Sequence, residues 1–267
     1  MTADVIAQLA ERWRESGVAR GDLLLVHSAL GRTLRVLGKA GRPAELAVEE
    51  VLASFLEAVG PDGTLLLPLF NFDFSQGAVF DIRSTPSRMG SLTEAGRRYP
   101  GAVRTGHPLY SFAAIGAQAQ RFAGLENFSG YGADSPFALL HAQGGKIAVL
   151  DLPDQQSMTF YHYVEEAHGA PWRYHKRFEG PYVGWDGRET RRAFGLFVRD
   201  LERGVLTHVN PMGERLWAQG LYAGQRPGQG GGLRTIAATA LFDAVSAVIE
   251  AGQAEGLLYR IAPRERP

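Results

Sequence analysis

The chain of 267 residues contains no cysteine. Disulfides, thiolate nucleophiles and cysteine-ligated zinc are thereby excluded together, and any catalysis rests on other groups. A surplus of charge is also missing, because 28 lysines and arginines balance 28 aspartates and glutamates. That balance argues against a nucleic-acid partner and confines any charge preference to local patches. No apolar run is long enough to span a bilayer, so no membrane partner is expected. The opening stretch, MTADVIAQLAERWRE, carries Asp4, Glu11 and Glu15 where a secretory signal needs a continuous apolar segment. The expectation is a cytoplasmic protein. With 45% hydrophobic residues the chain is globular in composition and long enough to bury a substantial core.

Several familiar signatures are absent as well. A phosphate-binding P-loop needs a glycine five residues ahead of its Gly-Lys and a hydroxyl residue after it, but Gly38-Lys39 is preceded there by Thr33 and followed by Ala40. The stretch GYGADS lacks the third glycine of a dinucleotide fingerprint and reads as a turn. Neither a G-x-S-x-G elbow nor an H-E-x-x-H pair occurs.

What is present reads as alternating helices and strands. Val5, Ile6, Leu9, Ala10 and Trp13 share one helical face, with Gly17 as the stop. GDLLLVHSAL reads as a short buried strand, Leu23 to Val26, that empties into a loop at His27 and Ser28. From Pro43, apolar residues from Val48 to Val59 recur at helical spacing until Gly60-Pro61. GPDGTLLLPLF and GGKIAVLDLP each read as a turn leading into a strand. YVGWDGRETRRAFGLFV reads as a hairpin turning at Asp186-Gly187, so antiparallel strands are expected to join the sheet there. A glycine-rich loop, GQRPGQGGG, precedes a last helix that includes Leu241, Val245, Val248 and Ile249. The predicted class is α/β, with mixed sheets and flanking helices in one domain spanning 1–267. The terminal RERP is expected to fray.

The densest chemistry lies in TFYHYVEEAHGAPWRYHKRF, residues 159–178. On a helix, His162 shares a face with Glu165 and with Glu166, so a carboxylate could fix one imidazole tautomer while the other nitrogen acts as a base. The same spacing could hold a metal with help from His175, which would make a metal-dependent hydrolase of His162, Glu166 and His175. A solvated acidic face beside a hydrogen-bonded histidine is the plainer account of the segment taken alone.

Six stretches in order, VHSAL (26–30), GPDGTLLLPLF (60–70), STPSRMGSLTE (84–94), PGAVRTGHPLYSFAAIG (100–116), GADSPFALL (132–140) and TFYHYVEE (159–166), together resemble the aminoglycoside 3-N-acetyltransferase family. The resemblance covers roughly the first two-thirds of the chain. It implies an α/β sandwich, acetyl-CoA as acyl donor, no metal, and a small-molecule amine as acceptor, in antibiotic resistance or biosynthesis. A homodimer is a possible assembly. His162 and Glu165 match the family's H-x-x-E, which makes them the base and its supporting carboxylate. Asp200, in LFVRDLE, is the approximate match to an acid after a later strand. Ser28, Ala29 and Leu30 fall where the family lays the pantetheine arm. The following loop, through Arg35, Val36 and Gly38, falls near the CoA phosphates, while Met89, Gly90, His107 and Ser111 shape the cofactor tunnel.

Beyond residue 170 the resemblance thins, and the charge pattern changes with it. Arg173, Lys176, Arg177, Arg188, Arg191 and Arg192 stand there against Glu179, Asp186 and Glu189. A site for a polycationic antibiotic calls for the opposite sign, so the reading is an acceptor amine that also carries phosphate or another anion, paired with Arg173 or Arg177.

Overall fold

The computed structural model describes residues 2–39 and 41–263, and the RERP terminus lies outside them. The strands are β1 (Leu23–Ser28), β2 (Thr64–Pro68), β3 (Phe80–Asp81), β4 (Val103–Arg104), β5 (Phe112–Gly116), β6 (Lys146–Leu150), β7 (Arg173–Val183), β8 (Glu189–Arg199), β9 (Val205–Thr207), β10 (Ala223–Gly224), β11 (Leu233–Ala237) and β12 (Tyr259–Ile261). The helices are α1 (Thr2–Glu15), α2 (Gly31–Lys39), α3 (Ala44–Val59), α4 (Ser91–Arg98), α5 (Pro136–Ala142), α6 (Asp154–Ser157), α7 (Phe160–Ala167), α8 (Asn210–Ala218) and α9 (Ala238–Glu250).

β1 occupies the middle of a seven-stranded sheet ordered β10-β11-β6-β1-β2-β5-β4. It pairs in parallel with β2 and β6, and antiparallel strands extend the sheet on both sides. The first five residues of β1 are buried without alternation, as a strand covered on both faces requires. Its two faces feed two separate cores: Leu23 and Leu25 join one, Leu24 and Val26 the other. On the second face Trp13 of α1 stacks on Phe55 of α3 at 4.9 Å and donates its indole N–H to Ser54 at 2.8 Å. Burying each ring contributes about 2 to 3 kcal/mol, which is why the apolar stripe of the first helix ends at Trp13. α3 stops at Gly60, whose φ of 70° is the conformation glycine adopts most cheaply. The opposite face is covered by α9 through Leu241, Val245 and Val248, and by α7 through Phe160 and Val164.

Four expectations need correction. β1 continues through His27 and Ser28, because both keep their ladder partners, Val149 and Leu150, on β6. The segment containing Arg35, Val36 and Gly38 is helix α2, not a loop; Leu34 and Leu37 give it an apolar side against the second core. The β7–β8 hairpin does not join the main sheet. It forms a separate three-stranded sheet with β3, and its turn closes at Gly187, φ 78°. Strand β11, rather than a helix, directly follows the glycine-rich loop.

Candidate active site

The first three parallel strands end together at their carboxyl edge, where β1 is flanked by β2 on one side and β6 on the other. Such an edge is where open α/β sheets bind ligands. Ser28, Ala29 and Leu30 lie there, and Ala29 N–H donates to Leu150 O at 2.8 Å. Arg32, in the first turn of α2, holds Asp151 through two contacts of 2.9 and 3.0 Å and donates to Gly230 O at 2.7 Å. The glycine-rich loop is thereby tied down beside the edge.

A line of aromatic contacts runs from this edge to the imidazole of His162. His27 meets Phe70 at 6.4 Å, Phe70 meets Tyr110 at 4.4 Å, Tyr110 meets Tyr131 at 4.8 Å, and Tyr131 meets His162 at 5.3 Å. His162 and Glu165 are one helical turn apart on α7, and the spacing does what the sequence predicted. Nδ1 of His162 lies 2.8 Å from Glu165 Oε2. Glu165 is almost wholly buried and also accepts the indole N–H of Trp172 at 2.8 Å. Arg173, the first residue of β7, brings Nε to 2.7 Å from the same Oε2 and anchors Nη1 on Phe197 O at 2.7 Å. Its Nη2 is 2.6 Å from Nδ1 of His162, so carboxylate and guanidinium compete for one ring nitrogen.

The electrostatics follow from that crowding. Burial and then the Arg173 charge push the His162 pKa down, and the pull of Glu165 does not reverse it. Burial alone would raise Glu165, but Arg173, the imidazole and Trp172 outweigh it and hold the carboxyl below its ordinary value.

His162 and Arg173 line a cleft of about 510 Å³ between α7 and the hairpin, with Tyr110, Tyr131, Lys176 and Arg199 among its walls. No aspartate or glutamate is among the described residues that line it.

The other expected site residues are distributed unevenly. Asp200 sits in the turn after β8, where its carboxylate accepts from Arg203 N–H at 3.1 Å; it caps that turn and does not line the cleft. Arg173 is committed to Glu165, and exposed Arg177 pairs with Glu179 at 3.5 Å. Arg188, Arg191 and Arg192 are likewise paired, so the apparent surplus is largely neutralised within the protein. Met89 is partly buried against the main core, and Gly90, φ 115°, leads into α4.

His107 and Ser111 are completely buried and serve the fold. His107 accepts two backbone amides at Nδ1, from Leu109 and Tyr110, which leaves Nε2–H to donate to Gly195 O at 3.2 Å across to the hairpin. Ser111 accepts from Arg104 at 3.1 and 3.2 Å. Burial holds His107 at a pKa of about 4, and burial with the nearby Arg234 charge holds His27 at about 4. Both stay neutral in the fold but would protonate near 6.5 when unfolded, so stability present above that pH is lost as pH falls towards 4. Urea titrations are expected to lose about 2 kcal/mol per histidine between pH 7 and pH 5. An unfolding midpoint unchanged at pH 5 would contradict the buried neutral assignment.

The metal-hydrolase alternative does not survive. Glu166 accepts instead from Ser129 Oγ at 2.6 Å, His175 stays 4.0 Å from it, and no metal-binding group of His, Asp or Glu forms among the described residues. Trp172, Tyr131, Ser129 and Arg199 were not singled out by the sequence, since each reaches the site through contacts that no local spacing signals.

Comparison with known proteins agrees with this architecture. The profile described as aminoglycoside 3-N-acetyltransferase matches residues 25–250, so the similarity continues through the hairpin and the last helix instead of ending near 170. Aminoglycoside N(3)-acetyltransferase VII of Streptomyces paromomycinus is 31% identical over 207 residues, 70% of this chain and 68% of that protein. Aminoglycoside N(3)-acetyltransferase VIII of Streptomyces fradiae is 28% identical over 214 residues, 71% of this chain and 69% of that one. The crystal structure of aminoglycoside acetyltransferase AAC(3)-Xa superposes with a TM-score of 0.75 at 25% identity, covering 92% of each chain. The AAC-IIIb binary complex with CoASH gives the same score and identity over 92% of this chain and 96% of its own. The chain belongs to the aminoglycoside 3-N-acetyltransferase family.

Proposed function

We propose that the protein, an acetyl-CoA-dependent N-acetyltransferase, moves the acetyl group directly onto a primary amine, with His162 as general base and Glu165 as the carboxylate that orients it. The single observation behind this reading is the imidazole in the cleft wall with Nδ1 at 2.8 Å from a buried, ionised Glu165. We assign the proton to Nδ1, donating to Glu165, which leaves the Nε2 lone pair for the amine; Arg173, a donor only, is then held by Glu165 and is not a ring partner, whereas the opposite tautomer would turn its lone pair towards Arg173 and away from the amine.

The residues at the sheet edge suit the acyl donor. The first turn of α2 contains no acidic residue, and Arg35 is exposed beside it. Bound there, acetyl-CoA supplies an electrophilic thioester carbonyl. His162 takes the proton that the attacking nitrogen sheds as the C–N bond forms, and returns it to the thiolate as the C–S bond breaks. The products balance as an amide and a free thiol. Glu165, itself paired with Arg173, orients the ring during both transfers. We read the whole chain as one such domain, acting in the cytoplasm.

The test is kcat as a function of pH, together with the intact mass of the protein after incubation with acetyl-CoA alone. Because its pKa is lowered, His162 is unprotonated at neutral pH, and the acid limb of kcat is expected below about 6.5. The mass is expected to be that of the unmodified chain. An acid limb above that value, or a stable acetyl adduct, would sink direct transfer to a His162-activated amine.

A further inference from the structure

The cleft presents aromatic rings where a site for a polyamine is ordinarily expected to present carboxylates. From His162 a run of ring contacts leads outwards: Tyr131 at 5.3 Å from the imidazole, Tyr110 at 4.8 Å from Tyr131, and Phe72 at 5.6 Å from Tyr110. Tyr131 and Tyr110 are buried, but Phe72 at the outer end is 40% exposed. On the hairpin wall, Tyr174, Lys176 and Phe178 alternate along β7 and share one face, with Val198 opposite Tyr174 and Leu196 opposite Lys176. All five line the cleft, and among them only Lys176 is charged. Arg173 and Arg199 oppose each other at the neighbouring ladder position, which belongs to the other face of the hairpin.

Tyr174 is 47% exposed, and large apolar side chains left in water inside a concave site mark a surface kept for a ligand. Lys176 indicates the chemistry of that ligand, because its ammonium rests over the Phe178 ring at 5.5 Å from the centroid. A π face attracts a cation at such a distance. Resting on the reading of His162 as the base, we propose that the acceptor is a poly-amino sugar seated on these rings. One ammonium group takes the place of Lys176 on Phe178, and the apolar face of a sugar ring packs on Tyr174. Lys176, exposed and on a flexible stem, swings into solvent when displaced. Tyr174 and Phe178 are thus specificity residues, and Lys176 is a competitor built into the wall. The cleft holds a polycation without a carboxylate and leaves another of its amines for the base.

Thiol release from acetyl-CoA with kanamycin as acceptor gives kcat and KM, and calorimetry on the CoA-loaded protein gives kanamycin affinity independently of turnover. Phe178→Leu keeps an apolar side chain but loses the π face, and is expected to weaken kanamycin roughly twofold to thirtyfold, the range of a cation–π contact. The change should appear in the acceptor KM, with kcat and the acetyl-CoA KM held. Phe178→Tyr should behave as wild type, and Tyr174→Ala should weaken kanamycin in the same way. Lys176→Met should tighten it, and that gain should vanish when Phe178→Leu is added, since competitor and seat are then both gone. Unchanged affinity in Phe178→Leu overturns the proposal. So does a Lys176→Met gain that persists without the ring, which would reduce Lys176 to plain charge repulsion. A wild-type affinity that falls steeply from low to high salt would put the ammonium groups on carboxylates elsewhere and overturn it equally. Failure of the base reading is separate: His162→Ala with undiminished turnover would remove the base and leave the calorimetric ranking of the ring variants as measured.

Discussion

His162→Ala is expected to lower kcat by about 10² to 10⁴, the range a positioned proton-transfer group supplies. The KM for the acyl donor should stay within a small factor, because the ring touches Glu165, Arg173 and Tyr131, none of them at the sheet edge. The effect should shrink as pH rises, since a less protonated amine has less need of a base. Steady-state thiol release over a pH series separates the two parameters. Turnover within a factor of three of wild type at neutral pH would leave orientation of the substrates as the only contribution of this site.

Glu165→Gln is expected to destabilise the fold by about 3 to 5 kcal/mol, the cost of leaving a buried charge without its partner. From the sequence alone, Glu165 is a helper whose loss should matter less than that of the base. The structure alters that ranking. Glu165 is 2% exposed and meets three partners at once, hydrogen-bonding His162 and Trp172 and forming an ion pair with Arg173. Glutamine keeps the shape but loses the charge, and the Arg173 side chain, 5% exposed, cannot reach water without moving the start of β7. Urea unfolding measures the loss. The double replacement Glu165→Gln with Arg173→Met should recover part of it, as removing both charges avoids an orphan. An unfolding midpoint equal to wild type in the single variant would mean that the pair is solvated and the carboxylate acts on the imidazole alone.

The parts of this molecule legible in its sequence are those governed by short spacings. His162 and Glu165 meet because three residues make nearly one helical turn, and α3 ends at Gly60 because the glycine is adjacent. Arg173 could not be read the same way. Its charge suggested a ligand contact, but the turn through Gly169 and Ala170 folds it back onto the carboxylate of α7, a tertiary outcome. The hairpin was visible in its alternation and its Asp-Gly turn, whereas its choice of β3 over the main sheet depends on a two-residue strand with no pattern of its own. β11 escaped notice because LRTIA follows a glycine-rich loop and contains Arg234, a residue that is 1% exposed yet paired with Asp154 across the fold. A buried arginine contradicts any apolar pattern until its partner is known. His107 and Ser111 stood out only through the family resemblance, and their complete burial with hydrogen-bond partners on the hairpin and on Arg104 depends on tertiary packing that no local pattern carries.

The position of β11 bears on how the protein is made. Its strand closes the open side of β6, and Arg234 must find Asp154, 80 residues earlier in the chain. At about 5 to 20 residues per second, a ribosome needs roughly 4 to 16 seconds to supply that stretch. Throughout that interval β6 ends the nascent sheet with a bare, apolar edge, Ile147 to Leu150, of the kind that recruits other strands. The growing chain is therefore most exposed to aggregation late in synthesis, and the yield of soluble protein should respond to temperature and to chaperones that shield unpaired strands.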